Sequence, residues 1–250
     1  MTIKLSTNIY GSLLIFFVAC LLLVICCAPA NAQSVSNNLV LSWSANTFVP
    51  SDYPGKSLPT YGSLVDLTVD AASSAGKTEG LNFIWFLNGD KQIFSSGKNQ
   101  SEFIFRVSAS AGASISIGVQ VQDDNGNTVA GMATAIPVVS SEVILYSDKS
   151  SSGYGSQSRN SIQTAPGQEV QLLAAPYFFN VGSPKELEYQ WIFEGKPVIK
   201  VEDAEYFSLK IDEGTLGSSI QKELSVNVEN PKNRAQQASS KIDIVINPHT

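Results

Sequence analysis

The sequence predicts an all-β protein: two antiparallel β-sandwiches in tandem behind an N-terminal apolar helix. Three observations carry this. A pattern of about 105 residues occurs twice, the apolar residues of both copies alternate with period two, and Gly, Pro, Asn and Asp clusters interrupt the chain roughly every 8–15 residues.

The first element is the N-terminal segment, residues 1–32. Lys4 and the amino terminus give a small positive region, Leu13 to Cys27 is a continuous apolar run, and Ala30-Asn31-Ala32 forms an A-x-A cleavage pattern. The run is short for a membrane span, which needs roughly 17–25 residues. The segment reads as a signal peptide cleaved before Gln33, with an uncleaved membrane anchor as the rival. A lipoprotein anchor fits less well, because apolar sequence continues past Cys20. All three cysteines lie in this segment, so a chain processed there has no disulfide, thiol nucleophile or Cys-based zinc site.

The second element is a sandwich over residues 37–139. Val65, Leu67 and Val69 alternate with Asp66, Thr68 and Asp70, and Ile115, Ile117, Val119 and Val121 alternate with Ser116, Gly118, Gln120 and Gln122. Strands with one dry and one wet face form antiparallel sheets that pack in pairs. The third element, over residues 142–248, repeats the scheme. Leu224, Val226 and Val228 alternate with polar residues, as do Ile242, Ile244 and Ile246.

The two copies align in order. Leu81-x-Phe83-x-Trp85-x-x-Asn88-Gly89 matches Leu187-x-Tyr189-x-Trp191-x-x-Glu194-Gly195. Gly62-x-x-Val65-x-Leu67 precedes the first and Gly167-x-x-Val170-x-Leu172 the second. Phe103-x-Phe105 and Phe207-x-Leu209 follow, and then Val119-x-Val121 and Val226-x-Val228, each before a turn. Trp85 and Trp191 sit on the apolar phase of equivalent strands, which makes them core markers. The connection Ile136 to Ser141 is short and not Gly-rich, which predicts a semi-rigid rod.

On these residues the chain resembles bacterial extracellular immunoglobulin-like and PKD-like tandem-domain surface proteins. The tryptophan strand, its Asn88-Gly89 or Glu194-Gly195 turn and the Asp123-Asp124-Asn125-Gly126-Asn127 hairpin carry the resemblance over most of residues 37–248. Trp85-Phe86-Leu87-Asn88-Gly89-Asp90 departs from the usual Trp-x-Phe-Gly-Asp-Gly of PKD domains. The segment Ala175 to Asn180 and the stretch Trp43 to Gly62 also resemble uncharacterised envelope proteins of candidate-phylum bacteria. The resemblance implies immunoglobulin-like sandwiches, and no function follows from it.

Composition narrows the chemistry. Charged residues are 15% of the chain, against about 25% in typical soluble domains. The formal net charge is −6, and no basic stripe offers a nucleic-acid footprint. The single histidine, His249, stands next to the last residue, a poor position for a catalytic triad. There is no P-loop and no dinucleotide fingerprint. No catalytic residue and no cofactor is expected. Asp123, Asp124, Asn125 and Asn127 offer oxygen ligands for calcium, but the distal bidentate Glu of a calcium loop is missing. A hairpin turn is the simpler reading, and calcium binding stays open.

Tyr177, Phe178 and Phe179 form an aromatic cluster with no counterpart in the first copy. As a loop-end cluster they are the candidate partner contact, while burial at the junction of the two copies or at the sheet end is the alternative. The expected function is a non-catalytic structural or adhesive module at the cell surface, binding protein or glycan partners through sandwich loops. The runner-up is an accessory subunit of an envelope machine such as a pilus or secretion assembly. Membrane contact is expected only through an uncleaved N-terminal segment.

Overall fold

A computed structural model describes residues 39–71, 80–150, 153–157, 161–199 and 203–248. The N-terminal segment and His249 lie outside the described residues. The first sandwich holds β1 (Leu39–Ala45), β2 (Leu64–Ala71), β3 (Asn82–Leu87), β4 (Asp90–Lys91), β5 (Gly97–Lys98), β6 (Glu102–Arg106), β7 (Ser114–Gln122) and β8 (Thr128–Pro137). Its sheets run β1-β2-β6 and β4-β3-β7-β8, with β5 paired to β3. The second holds β9 (Glu142–Ser150), β10 (Gly153–Gln157), β11 (Ser161–Thr164), β12 (Glu169–Tyr177), β13 (Glu188–Phe193), β14 (Lys196–Pro197), β15 (Tyr206–Lys210), β16 (Ile220–Glu229) and β17 (Gln237–Ile246). Its sheets run β10-β9-β12-β15 and β11-β17-β16-β13-β14. The strand β11 pairs in parallel with β17, and the other pairs are antiparallel. The shared strand order makes both halves immunoglobulin-like sandwiches.

Alternation in the sequence becomes burial in the fold. Along β7 the side chains of Ile115, Ile117, Val119 and Val121 are buried, while Ser116, Gly118, Gln120 and Gln122 face outward or lie half-buried. The same rule applies to β16, where Leu224, Val226 and Val228 enter the core. Each core is built round its tryptophan. Trp85 is fully buried and Trp191 nearly so. Both indoles satisfy their N–H in the same way: Trp85 Nε1 donates to the Gln100 carbonyl and Trp191 Nε1 to the Ala204 carbonyl, each at 2.9 Å. Both pack at a tilt against a phenylalanine, Phe103 at 5.5 Å and Phe207 at 5.3 Å between ring centroids. A buried indole needs such a hydrogen-bond partner, because an orphaned donor in an apolar core loses its hydration without return.

The turn after each tryptophan strand shows how two different side chains meet one backbone demand. Asn88 and Gly89 have φ of 52° and 88°, and Glu194 and Gly195 have 51° and 73°. Two consecutive residues in the left-handed region give the tight hairpin that matches the strand twist. Asn88 Oδ1 accepts the Ser116 N–H at 2.9 Å, and Glu194 Oε1 accepts the Glu223 N–H at 2.8 Å. Asn visits left-handed φ readily, whereas Glu does so under strain.

Candidate functional site

Residues 46–63 are the long connection between β1 and β2, and they leave the first sandwich to dock on the second. Phe48 pairs with Phe179 as an antiparallel bridge. The Phe48 N–H donates to the Phe179 carbonyl, and the Phe178 N–H donates to the Phe48 carbonyl, both at 2.7 Å. Phe178 reaches this position with φ of 61°, which a bulky residue adopts only where surrounding contacts hold it. Those contacts are aromatic. The Tyr53 ring lies edge-on to Tyr177 at 5.6 Å and to Phe178 at 5.9 Å, and the hydroxyls of Tyr146 and Tyr177 are 2.8 Å apart. Val49, Leu58, Val139 and Ile144 close the cluster.

This corrects the reading of Tyr177, Phe178 and Phe179 as a partner contact. They are 6%, 8% and 0% exposed and so present almost no surface. Tyr177 and Phe178 fill the seam between the sandwiches, and Phe179 enters the second core. The cause is the docked connection, which covers the sheet end that would otherwise leave the rings in water. Burying a large apolar side chain contributes about 1.5–3 kcal/mol.

Polar side chains complete the junction. Gln236 is 2% exposed and uses both ends of its amide. Its Nε2 donates to Thr60 Oγ1 at 2.6 Å and to the Tyr61 carbonyl at 3.3 Å. Its Oε1 accepts the Asn180 N–H at 2.9 Å and Asn230 Nδ2 at 2.8 Å. Asn233 Nδ2 donates to the Tyr61 carbonyl, and Asn180 Nδ2 and an Arg106 guanidinium nitrogen donate to the Gly62 carbonyl. The seam thus has a dry aromatic part and a satisfied polar part. The described residues of both sandwiches cluster as one compact unit.

The acidic hairpin is engaged within itself. Asp123 Oδ1 accepts the N–H groups of Asn125 and Asn127, and Oδ2 accepts Asn127 Nδ2. The Asn127 side-chain amide, with the two backbone donors, holds the Asp123 carboxyl below its ordinary pKa. Asp124 turns away to pair with Lys98 at 2.9 Å. Among the described residues, no group of three or more His, Cys, Asp and Glu side chains is placed to hold a metal ion.

The apolar surface stands elsewhere. A short 3-10 turn, Ile93–Ser95, follows β4 at the sheet edge and exposes Ile93 at 72% and Phe94 at 104%. The residue one repeat later, Ile199 after β14, is 93% exposed. Trp85 and Trp191 are separated by the same number of positions as Ile93 and Ile199, so both isoleucines occupy one place in the repeat. That spacing was present in the sequence. Neither isoleucine belongs to an alternating strand, so alternation alone does not mark it.

No family model matches the chain, and no curated protein matches it. Among solved structures, the chain is similar to the three N-terminal domains of the highly immunogenic outer capsid protein of bacteriophage RB49, at 14% identity and a TM-score of 0.45. That match covers 84% of this chain and 59% of the phage chain. It is also similar to fibronectin(III)-like modules of Clostridium thermocellum CbhA, at 11% identity and a TM-score of 0.30, over 84% of this chain and 94% of that one. A third likeness is to the central fibronectin-III array of RIM-binding protein, at 9% identity and a TM-score of 0.27, over 78% of this chain and 66% of that one. The chain therefore spans less than two thirds of the first and third of these. The immunoglobulin-like arrangement rests on strand order, and no narrower family, PKD included, is shown. Among the described residues, no helix is long and apolar enough to cross a membrane.

Proposed function

We propose that the chain is a non-catalytic binding module of the cell surface that holds a protein partner through the apolar sheet edges at Ile93, Phe94 and Ile199. The observation that carries this is the exposure of an isoleucine at the same place in both repeats. Buried apolar residues recur between the copies because each core needs them. An exposed isoleucine gives its sandwich nothing of that kind, and a fully exposed phenylalanine beside it adds apolar surface to water. Scattered exposed apolar residues are ordinary, but these share one place in the repeat. Of the large exposed apolar residues, which include Val40, Tyr61, Ile104, Val129 and Ile220, only Ile93 and Ile199 form such a pair among the described residues.

The chemistry favours a protein partner at these edges. Aliphatic and phenyl groups lack the polar atoms that orient a sugar, whereas an aromatic anchor in a desolvated pocket is a common interface hot spot. The apolar N-terminal run and the absence of a thiol after residue 32 support an exported chain. A photo-crosslinking residue placed at position 94, and separately at 199, of the full chain in its producing cells tests the reading. One discrete protein adduct at both positions is expected, together with loss of capture in Ile93→Ser/Phe94→Ser at an unchanged melting temperature. Full capture by the double variant contradicts it.

A further inference from the structure

We infer that the cleft between the two sandwiches is a binding site for a neutral oligosaccharide. The cleft has a volume of about 370 Å³ and takes its walls from both sandwiches and from the chain that joins them. Small-molecule sites favour such domain boundaries, and their volumes run from about 300 to 1,000 Å³.

No charged side chain lines this cleft. An anionic or cationic ligand would therefore lose its hydration there without gaining a counter-charge. Apart from the Ser141 hydroxyl, which donates to the Phe178 carbonyl at 3.5 Å, the polar side chains divide into two sets. Thr60 and Gln236 are buried and bonded to each other, and the remaining bonds of Gln236 fix it from three further sides. They form a preset wall, which reduces the ordering that a ligand would otherwise have to impose. The second set is unengaged. Tyr61, Ser110, Ser140 and Gln237 line the cleft, and their side chains make no hydrogen bond among the described residues.

These free groups match sugar chemistry. Serine and tyrosine hydroxyls both donate and accept, and an amide offers one of each at its two ends. A sugar ring presents hydroxyls of the same dual character around its edge and C–H groups on its face. Tyr61 is 49% exposed and lines the cleft, and its ring can serve as an aromatic platform for such a face. The only apolar side chains in the lining, besides that ring, are Ala111, Ala235 and Val139, too few for an apolar peptide anchor.

The test uses the full chain with a panel of neutral tetrasaccharides: β-1,4-linked glucose, β-1,4-linked N-acetylglucosamine and α-linked mannose. Calorimetry and amide chemical shifts are read together. The expected result is binding of at least one tetrasaccharide, with shifts confined to residues 60–61, 110–111, 139–141 and 235–237. Tyr61→Ala and Gln237→Ala should each weaken binding by roughly tenfold or more, about 1.4 kcal/mol. Tyr61→Phe should retain part of the affinity, since the ring remains. The Tyr61 and Gln237 side chains make no internal bond, so loss of fold does not confuse the outcome. Absence of binding across the panel overturns the proposal, as does binding that Tyr61→Ala leaves intact. Capture through Ile93 and Phe94 is scored without sugar, and sugar binding without the protein partner, so failure of either site is seen separately.

Discussion

Gln236 Nε2 donates to Thr60 Oγ1 across the seam between the sandwiches at 2.6 Å, and 2% of Gln236 is exposed. The side chain sits after the hairpin turn of the second sandwich, while its partner lies in the long connection of the first. Gln236→Leu keeps the side-chain bulk and removes all four bonds. The half-buried Asn180 N–H then loses its acceptor, and the buried Asn230 amide loses one of its two. Each orphaned group costs about 1–3 kcal/mol. Urea melts of the whole chain should show this loss, and a variant as stable as the parent would contradict it.

The tryptophans are predicted to matter equally to their own sandwiches. Trp85→Ala and Trp191→Ala each remove a buried indole, its tilted packing on Phe103 or Phe207 and its bond to a backbone carbonyl. A loss of about 3–5 kcal/mol is expected for each. Denaturant melts followed by fluorescence of the remaining tryptophans measure it. A loss below about 1 kcal/mol at either site would place that indole outside a packed core.

Glu194 is predicted to be replaceable with gain. It holds left-handed φ at the position where the first repeat has Asn88, and it accepts the same hairpin N–H. Glu194→Asn keeps an acceptor and suits that conformation better. It gives up an ion pair with Lys222, which is exposed and screened. The thermal midpoint should rise. A lower midpoint would mean that the Lys222 pair outweighs the backbone strain.

Acid is predicted to weaken the fold through four carboxyls. Hydrogen bonds lower the pKa of Asp123 chiefly through Asn127, of Glu169 through the Ser208 hydroxyl, of Glu186 through Lys232, and of Glu194 through Lys222. A folded pKa below the unfolded value means that the unfolded chain binds more protons between the two. Stability from these groups is then complete above the ordinary carboxylate range and declines as pH falls through the lowered folded values. Urea midpoints should be flat above that range and fall below it. A midpoint that holds or rises on acidification would contradict these assignments.

Much of the fold was legible because a repeat reads its own core. Alternation and a shared tryptophan identified strands β2, β3, β7, β12, β13, β16 and β17, since side chains that recur on one phase are the ones the cores require. The junction had no such signal. Gln236 and Thr60 are polar residues in turn-rich stretches, and only the docked connection turns them into interior groups. The aromatic run Tyr177 to Phe179 stood out, but its left-handed turn at Phe178 cannot be read from composition. Loop aromatics suggest a binding surface until the covering chain is known. The apolar edges Ile93 and Ile199 were readable in principle, by the repeat spacing alone.

The central claim is that the seam locks the two sandwiches into one body, so that the edges at Ile93 and Ile199 face a partner in fixed relation. Amide ¹⁵N relaxation of residues 33–250 tests it most directly. One rotational diffusion tensor fitting the strands of both sandwiches is the predicted result, with separation into two tensors in Gln236→Leu/Phe48→Ser. Two independent tensors in the unaltered chain would contradict the claim.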